Sequence, residues 1–318
     1  MSRVLVTGGA GYIGSITTAL LLDQGFEVTV LDDCSTGHRD SVPAQARFIE
    51  GTILDGEIVR RALEGCDSVI HFAAKSLVGE SVEKPDLYRN NNINGSQILF
   101  DEMDGAGVTR IVVSSSAATY GDTHEQPILE TLKAKPGNPY GETKLAVDNL
   151  LTDLAAEENF AAISLRYFNV AGSLKTPTRW LREEHDPETH LIPNLLKATK
   201  DSPLKIFGTD WDTPDGTCIR DYVHVHDLAD AHIRALNQLI AGRHEIINIG
   251  SGTGYSVREV IDTASKVVGY EIPSVNVDRR DGDPAILIAS IEKARSTLGW
   301  SPMRDLSAMI SDTFESKK

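Results

Sequence analysis

Short apolar runs alternate with segments of helical period through the first half of the chain. Five of these runs lie at residues 3–7, 27–31, 47–50, 68–72 and 110–116. Their nearly continuous apolar character is typical of strands that are covered on both faces. The alternation predicts an α/β fold with a doubly wound, parallel, Rossmann-type sheet. In such sheets ligands lie beyond the carboxyl ends of the strands.

The pattern changes after residue 170, where proline, arginine, glutamate and histidine are dense between positions 175 and 190. We interpret residues 1–170 as a first domain and 171–318 as mainly a smaller C-terminal α/β substrate domain. The chain is expected to rejoin the first domain at about 218–250.

Local signals refine this second half of the chain. Strands are predicted at residues 221–225 and 245–249, and Asp227 is expected to cap a helix between them. Ser256 and Glu259 predict a capping box at the start of a further helix.

Composition narrows the class of protein. The chain has 318 residues, is 41% apolar and 24% charged, and carries a formal net charge of −15. This is the composition of a soluble globular protein, and the acidic balance argues against partners such as nucleic acid or anionic membranes. No apolar segment is long enough for a signal peptide or a membrane span. The three cysteines fit neither a disulfide framework nor a zinc cluster, so we expect a cytoplasmic setting.

A glycine-rich turn follows the first predicted strand. Gly8, Gly11 and Gly14 are spaced so that the backbone turns tightly, approaches a pyrophosphate and packs helix on strand. Asp32 ends the second strand, where its carboxylate can accept a hydrogen bond from a ribose 2′-hydroxyl and repel a 2′-phosphate. NAD is therefore favoured as cofactor, and the nearby Arg39 leaves NADP as the alternative.

Tyr140 and Lys144 are separated by one helical turn. Pro139 suits the first turn of a helix, so both side chains are expected on one helix face. A neighbouring ammonium group stabilises a phenolate and lowers its pKa, which turns tyrosine into a usable base.

The glycine turn, a strand that ends in serines and the Tyr-x-x-x-Lys spacing together resemble the extended short-chain dehydrogenase/reductase family. Residues 114–121, 138–141, 166–169 and 216–225 closely resemble the members that invert C4 of a UDP-hexose. The resemblance covers nearly the whole chain and implies an isomerase that uses NAD and a UDP-sugar.

The resemblance implies a catalytic role for Ser116, Tyr140 and Lys144. Tyr140 removes the proton of the sugar 4-hydroxyl while a hydride passes from C4 to NAD, and the hydride returns to the other face of the 4-keto sugar. Lys144 lowers the pKa of Tyr140 and holds the nicotinamide ribose, while Ser116 hydrogen-bonds O4.

The resemblance also implies two sets of binding residues. The cofactor set is Gly8, Gly11, Tyr12, Ile13, Gly14, Asp32, Asp33, Thr52, Ile53, Phe72, Ala73, Ala74, Asn91, Ser114, Tyr140, Lys144 and Phe168. The substrate set is Ser116, Asn169, His190, Leu191, Phe207, Arg220, Tyr222, Arg280, Asp283 and Leu287. Leu287 is intermediate in size between residues that exclude and residues that admit N-acetylated sugars. A homodimer is expected, formed by the helices around 87–103 and 140–155.

Alternatives remain within and outside the family. A 4,6-dehydratase needs an acid and a base after the strand-end serine, where this chain has Ala117 and Ala118. Another nucleotide-sugar epimerase, or a non-catalytic NAD-binding sensor, would share the fold. Two positions depart from the family pattern: Thr52 replaces an acidic residue, and Ser76 replaces a lysine, with Lys75 one position early.

Two histidine-rich patches raise the question of a metal. The first contains His224, His226 and His232, and the second contains His185 and His190. We interpret both as structural or polar histidines and predict no metal site.

Overall fold

The computed structural model describes residues 2–158, 160–280 and 283–318. The strands are β1 (Arg3–Thr7), β2 (Glu27–Asp32), β3 (Arg47–Glu50), β4 (Ser68–His71), β5 (Arg110–Ser116), β6 (Ala161–Tyr167), β7 (Asn169–Ala171), β8 (Leu174–Lys175), β9 (Trp180–Leu181), β10 (Leu204–Phe207), β11 (Ile219–His224), β12 (Arg243–Ile249), β13 (Gly254–Ser256), β14 (Ser274–Val277) and β15 (Ile286–Leu287). The helices are α1 (Tyr12–Asp23), α2 (Gly56–Leu63), α3 (Val78–Glu83), α4 (Pro85–Tyr88), α5 (Gly95–Gly105), α6 (Pro139–Glu158), α7 (Leu191–Leu195), α8 (Val225–Asn237), α9 (Val257–Val268), α10 (Glu292–Leu298) and α11 (Leu306–Glu315).

A parallel sheet of seven strands forms the centre of the larger part of the molecule. Its order is β12-β6-β5-β4-β1-β2-β3, which confirms the predicted doubly wound α/β class. From β1 the chain proceeds to β2 and β3 on one side, and then to β4, β5, β6 and β12 on the other. The order reverses between β1 and β4, so a crevice opens at the carboxyl ends of these two strands.

Side chains of the central strands alternate between two cores. Val4 and Val6 of β1 pack on the side of α1 and α8, whereas Leu5 packs on the side of α2, α5 and α6. Because successive residues of a strand point to opposite faces, one apolar run serves both layers. This explains why the predicted strands are apolar throughout.

A smaller part is built around β11, which pairs with β7, β13 and β15. The predicted return segment at about 218–250 is thus divided: β12 lies in the large sheet beside β6, whereas β11 lies in the smaller sheet. Placing the first strand of that segment in the large sheet is wrong. The apolar pattern of β11 specifies a buried strand and not its partners.

The sequence predicts two helix caps in the second half of the chain, and the structure confirms one of them. Ser256 and Glu259 form the predicted capping box of α9. The prediction for Asp227 is wrong, because α8 begins at Val225 and the side chain of His224 accepts the capping hydrogen bond. Asp227 instead accepts from the backbone N–H groups of Met303 and Arg304, both over 2.9 Å.

Within the described ranges, none of the helices combines the length and the apolar character that crossing a bilayer requires.

Candidate functional site

A cleft of about 1270 Å³ lies at the carboxyl ends of β1, β4 and β5. Single small-molecule pockets have volumes of about 300–1,000 Å³, so this cleft has room for more than one ligand. Its walls come from both parts of the molecule: the glycine turn and the serine end of β5 on one side, and residues of the segment before α7 on the other.

The turn after β1 shapes one end of the cleft. Gly8 has φ of +71°, and a Cβ there would lie 2.6 Å from the backbone nitrogen of Ala73. A Cβ on Gly14 would collide with the carbonyl oxygen of Gly8, whereas one on Gly11 meets only that oxygen, at 3.4 Å. Gly11 precedes the first residue of α1, whose first-turn N–H groups have no partner within the helix. The turn is therefore built for an anion at a helix N-terminus.

Asp32 is tied to this turn. Its carboxylate accepts hydrogen bonds from the backbone nitrogens of Ala10 and Cys34, over 2.9 and 2.8 Å. Burial raises the pKa of Asp32, and these two hydrogen bonds oppose the rise. Arg39 stacks on Phe48 at 4.1 Å and is absent from the described lining of the cleft. The geometry favours a free ribose hydroxyl over a phosphate.

Helix α6 brings Tyr140 and Lys144 to the cleft. The helix begins at Pro139, as predicted, and the two side chains line the same wall. Lys144 Nζ donates to the carbonyl oxygen of Ser114 over 2.7 Å and lies 5.9 Å from the centre of the Tyr140 ring.

The ionisation of this pair differs from the expectation that Lys144 lowers the pKa of Tyr140. Burial raises the pKa of the Tyr140 phenol above its ordinary value, and a hydrogen bond with Ser116 acts in the opposite direction. Burial also lowers the pKa of Lys144 to about 8, although the carboxylate of Asp148 opposes this. The ammonium donates to a backbone carbonyl, and Ser116 is the group whose hydrogen bond favours the phenolate here.

The serine-rich end of β5 is held by its neighbours. Ser116 lies opposite Tyr167 in the parallel β5–β6 register. Its hydroxyl accepts from the backbone nitrogen of Ala118 over 3.1 Å. The hydroxyl of Ser114 hydrogen-bonds the phenol of Tyr167, a cleft residue that our predicted site set omits although its motif contains it.

Most predicted site residues meet at this cleft. All members of the cofactor set line it, and five members of the substrate set do so: Ser116, Asn169, His190, Arg280 and Asp283. The other five, Leu191, Phe207, Arg220, Tyr222 and Leu287, lie outside its lining.

Two of these five lie beside cleft residues. Phe207 supports Arg280, whose guanidinium lies 3.7 Å from the ring centre. Arg220 Nη2 lies 3.8 Å from a carboxylate oxygen of Asp283. Asp281 and Gly282, the two residues between Arg280 and Asp283, lie outside the described residues.

The remaining three pack into apolar clusters. Tyr222 and Leu191 belong to the core of the smaller part. Leu287 packs in a cluster that contains Ala117 and Phe168. Leu287 is thus behind the wall of the cleft, because Phe168 belongs to the lining and Ala117 follows Ser116.

A π-helical turn between α4 and α5 supplies a support that the sequence analysis missed. The turn spans Arg89–Asn94 and includes the predicted site residue Asn91. Buried Asn92 donates to the carbonyl oxygen of Lys75 and accepts from its backbone nitrogen. It also donates to the hydroxyl of Thr143 on α6, over 3.0 Å. The π-turn therefore links α6 to the loop after β4.

The two departures from the family pattern both lie in the cleft. Thr52 lines it and accepts from the backbone nitrogen of Leu54, over 3.3 Å. Lys75 and Ser76 line it together, and Lys75 Nζ reaches the hydroxyl of Ser35 at 3.2 Å. The ammonium group of Lys75 therefore lies in the cleft, one position earlier in the chain than the lysine of the family pattern.

The fold and the cleft agree with comparisons to known proteins. The model of the NAD dependent epimerase/dehydratase family matches residues 4–250, and the chain belongs to this family. The UDP-glucose 4-epimerase of Streptomyces lividans is 48% identical over 318 residues, which cover 98% of this chain and 95% of that protein.

Solved structures show the same likeness. The UDP-glucose 4-epimerase from Brucella ovis in complex with NAD has a TM-score of 0.93 and 41% identity, with 99% of this chain and 98% of that chain covered. The enzyme from Bifidobacterium longum in complex with NAD+ and UDP has a TM-score of 0.92 and 34% identity, with 99% and 98% covered.

Proposed function

We propose that this protein is an enzyme that inverts C4 of a UDP-hexose and so interconverts UDP-galactose and UDP-glucose with bound NAD. The observation that carries the proposal is the meeting of Ser116, Tyr140 and Lys144 in one cleft with the glycine turn. Relatives that cover nearly the whole chain are UDP-glucose 4-epimerases, and solved neighbours contain NAD.

NAD fits the glycine-turn end of the cleft. The helix N-terminus after Gly11 suits the pyrophosphate, and Asp32 suits a ribose hydroxyl. When bound, NAD accepts a hydride from C4 and returns it, so no net oxidation occurs.

The protein's own groups handle the proton. The phenolic oxygen of Tyr140 takes the proton of the sugar 4-hydroxyl and gives it back after the ring has presented its other face. Ser116 orients O4, and its hydrogen bond with Tyr140 opposes the rise in pKa that burial causes. Lys144 donates to the nicotinamide ribose and keeps a positive charge at this end of the cleft.

The diphosphate of the substrate needs cationic partners, because the protein as a whole is acidic. Arg280 lines the cleft. Arg220 lies beside the cleft, where its guanidinium is 3.8 Å from the carboxylate of the lining residue Asp283. We assign both guanidinium groups to the diphosphate, and Asn169 and His190 to the rest of the nucleotide.

Epimerisation is favoured over dehydration because of the turn after Ser116. This 3₁₀ turn, Ala117–Thr119, begins with two alanines. Methyl groups cannot transfer the additional protons that elimination of water requires.

The proposal is tested by incubating the purified protein with UDP-galactose and no added cofactor. UDP-glucose should appear without accumulation of NADH, and the native mass spectrum should show a retained dinucleotide. Steady NADH formation would identify a dehydrogenase instead. Loss of water from the sugar would identify a dehydratase, and absence of any turnover would favour a sensor.

We also propose a cytoplasmic homodimer that pairs the helical segments 87–103 and 140–155. Leu150 and Leu154 of α6 are only partly buried in one chain, which supports an apolar contact on this face. The residue ranges 1–170 and 171–318 are proposed as the NAD domain and the mainly UDP-sugar-binding domain. A monomer mass by light scattering at micromolar concentration would contradict the dimer.

A further inference from the structure

Four titratable side chains crowd together on the segment between β9 and α7. They are Glu183, His185, Glu188 and His190. The side chains of Glu183 and Glu188 are only 7% and 5% exposed. The proposed reaction uses neither carboxylate, although burying carboxylates carries a free-energy cost that requires compensation.

The ligand atoms of this cluster converge. One side-chain atom each from Glu183, His185 and His190 lie within 4.8 Å of one another. His190 Nδ1 lies 2.8 Å from Glu188 Oε1 and 3.9 Å from Glu183 Oε2. His185 Nδ1 contacts Glu183 Oε1. Two imidazole nitrogens and the Glu183 carboxylate thus face a common point, and Glu188 contacts the group through His190.

The cluster is not satisfied by hydrogen bonds alone. The Nδ1 atom of His185 is buried and has no hydrogen-bond partner in the described part of the chain. A nitrogen of this kind, directed at a carboxylate without a proper hydrogen bond, is the arrangement that a metal ligand adopts when it shares an ion with that carboxylate.

Charge balance is compatible with a bound cation. Among the ion pairs of the described residues, Glu183 and Glu188 pair only with the two imidazoles. A divalent cation bound between them would neutralise the carboxylates in place of protons on the imidazoles. Lysine or arginine normally supplies this compensation, and here neither pairs with the two carboxylates.

We propose that Glu183, His185 and His190 bind one divalent transition-metal ion. Two imidazole nitrogens and a carboxylate oxygen suit Zn²⁺ and its first-row neighbours, whereas Mg²⁺ and Ca²⁺ prefer oxygen ligands. The sequence analysis rejected a metal at this patch. The structure supplies Glu183 as the further ligand.

The position of the cluster assigns the ion a structural role. Glu183 and His185 face Gly11 and Tyr12 across a small adjoining cleft. The Tyr12 hydroxyl donates to the carbonyl oxygen of Gly172 over 2.6 Å, just before β8. A metal here pins the segment before α7 against the glycine turn.

Metal titration of the whole protein tests the proposal. After treatment with a chelator and removal of the chelator, isothermal titration with Zn²⁺ should show one equivalent bound and a higher melting temperature. Co²⁺ should give the visible absorption of a four-coordinate site. His185→Gln and Glu183→Gln should each abolish the stoichiometric isotherm and the Co²⁺ absorption. His124→Gln, at an exposed histidine, is the matched control and should change neither.

Three results would overturn the proposal. They are the absence of stoichiometric binding by the wild type, unchanged binding in both variants, and several weak equivalents that the substitutions do not affect. The last would identify the ions as bound loosely by the acidic surface. Far-ultraviolet circular dichroism checks that the variants fold, and the wild-type Co²⁺ spectrum decides the matter independently of them. No measurement here depends on turnover, so failure of the proposed epimerase activity remains a separate outcome.

Discussion

The ammonium nitrogen of Lys144 donates to the carbonyl oxygen of Ser114 over 2.7 Å. This bond joins α6 to the carboxyl end of β5 and fixes the lysine at the floor of the cleft. Because the ammonium is buried there, its pKa is lowered to about 8. The position of Lys144 is thus decided by a backbone carbonyl 30 residues away.

The lowered pKa of Lys144 predicts that NAD binding weakens with rising pH. Below about pH 8 the ammonium is present and can donate to the dinucleotide, and above this value it loses its proton unless the ligand retains it. The dissociation constant for NAD should therefore be lowest near pH 7 and increase toward pH 9. In Lys144→Met the affinity should be weaker and this step should be missing. Equilibrium dialysis across the pH range measures both, and an equal slope in the two proteins would contradict the assignment.

Tyr140→Phe should reduce kcat by about 10²–10⁴-fold, since it removes the acid–base oxygen and keeps the ring. Nucleotide binding should change little. Tyr270→Phe, at a half-exposed tyrosine, is the matched control and should retain full turnover. Steady-state kinetics and titration with UDP separate the two effects. Activity of Tyr140→Phe within a few-fold of wild type would remove Tyr140 from the mechanism.

Gly11→Ala and Gly14→Ala should fail in different ways. A Cβ on Gly14 collides with the Gly8 carbonyl oxygen, so this variant should lose both thermal stability and NAD. A Cβ on Gly11 has room within the protein but enters the space beside the helix N-terminus, so this variant should keep its melting temperature and lose NAD. Melting curves recorded with and without NAD distinguish the two. Equal destabilisation by both substitutions would contradict this account.

Asp148→Ala should destabilise the protein by about 3–5 kcal/mol, because it leaves the Arg166 guanidinium buried without its partner. The pair is 1% and 3% exposed, and Arg166 donates to one carboxylate oxygen over 3.0 and 2.8 Å. Removing the exposed carboxylate of Glu292, which pairs with Arg295, should cost only about 0–1 kcal/mol. Urea unfolding of Asp148→Ala and Glu292→Ala makes the comparison. A similar cost for both would show that burial is not what makes the first pair important.

Leu287 should influence the choice of sugar through Phe168 and Ala117, the residues with which it packs. UDP-glucose and UDP-galactose should be the main pair, with N-acetylated sugars handled poorly. Leu287→Gly should raise kcat/KM for UDP-N-acetylgalactosamine relative to UDP-galactose and Leu287→Tyr should lower it, with a discrimination of about 10–200-fold. Leu129→Gly, at an exposed leucine, is the control. A ratio indifferent to both substitutions would show that Leu287 does not shape the sugar pocket through Phe168 and Ala117.

The sequence by itself determined the features that depend on neighbouring residues. The period of apolar positions predicts the five strands, and the glycine spacing predicts the turn between β1 and α1. The Pro139 start and the four-residue spacing predict one face of α6 for Tyr140 and Lys144. These are local properties, because strand and helix periods and steric limits at glycine act within a few residues.

Only the tertiary structure decided what depends on residues far apart in the chain. The partners of β11, the capping of α8 by His224 and the use of Asp227 by the backbone at residues 303 and 304 all join distant segments. The raised pKa of Tyr140 likewise arises from burial by the assembled cleft. Burial and long-range pairing follow from how elements pack, and many packings satisfy one apolar pattern. For the same reason Glu183, His185 and His190 converge in the fold, which their spacing in the sequence does not reveal.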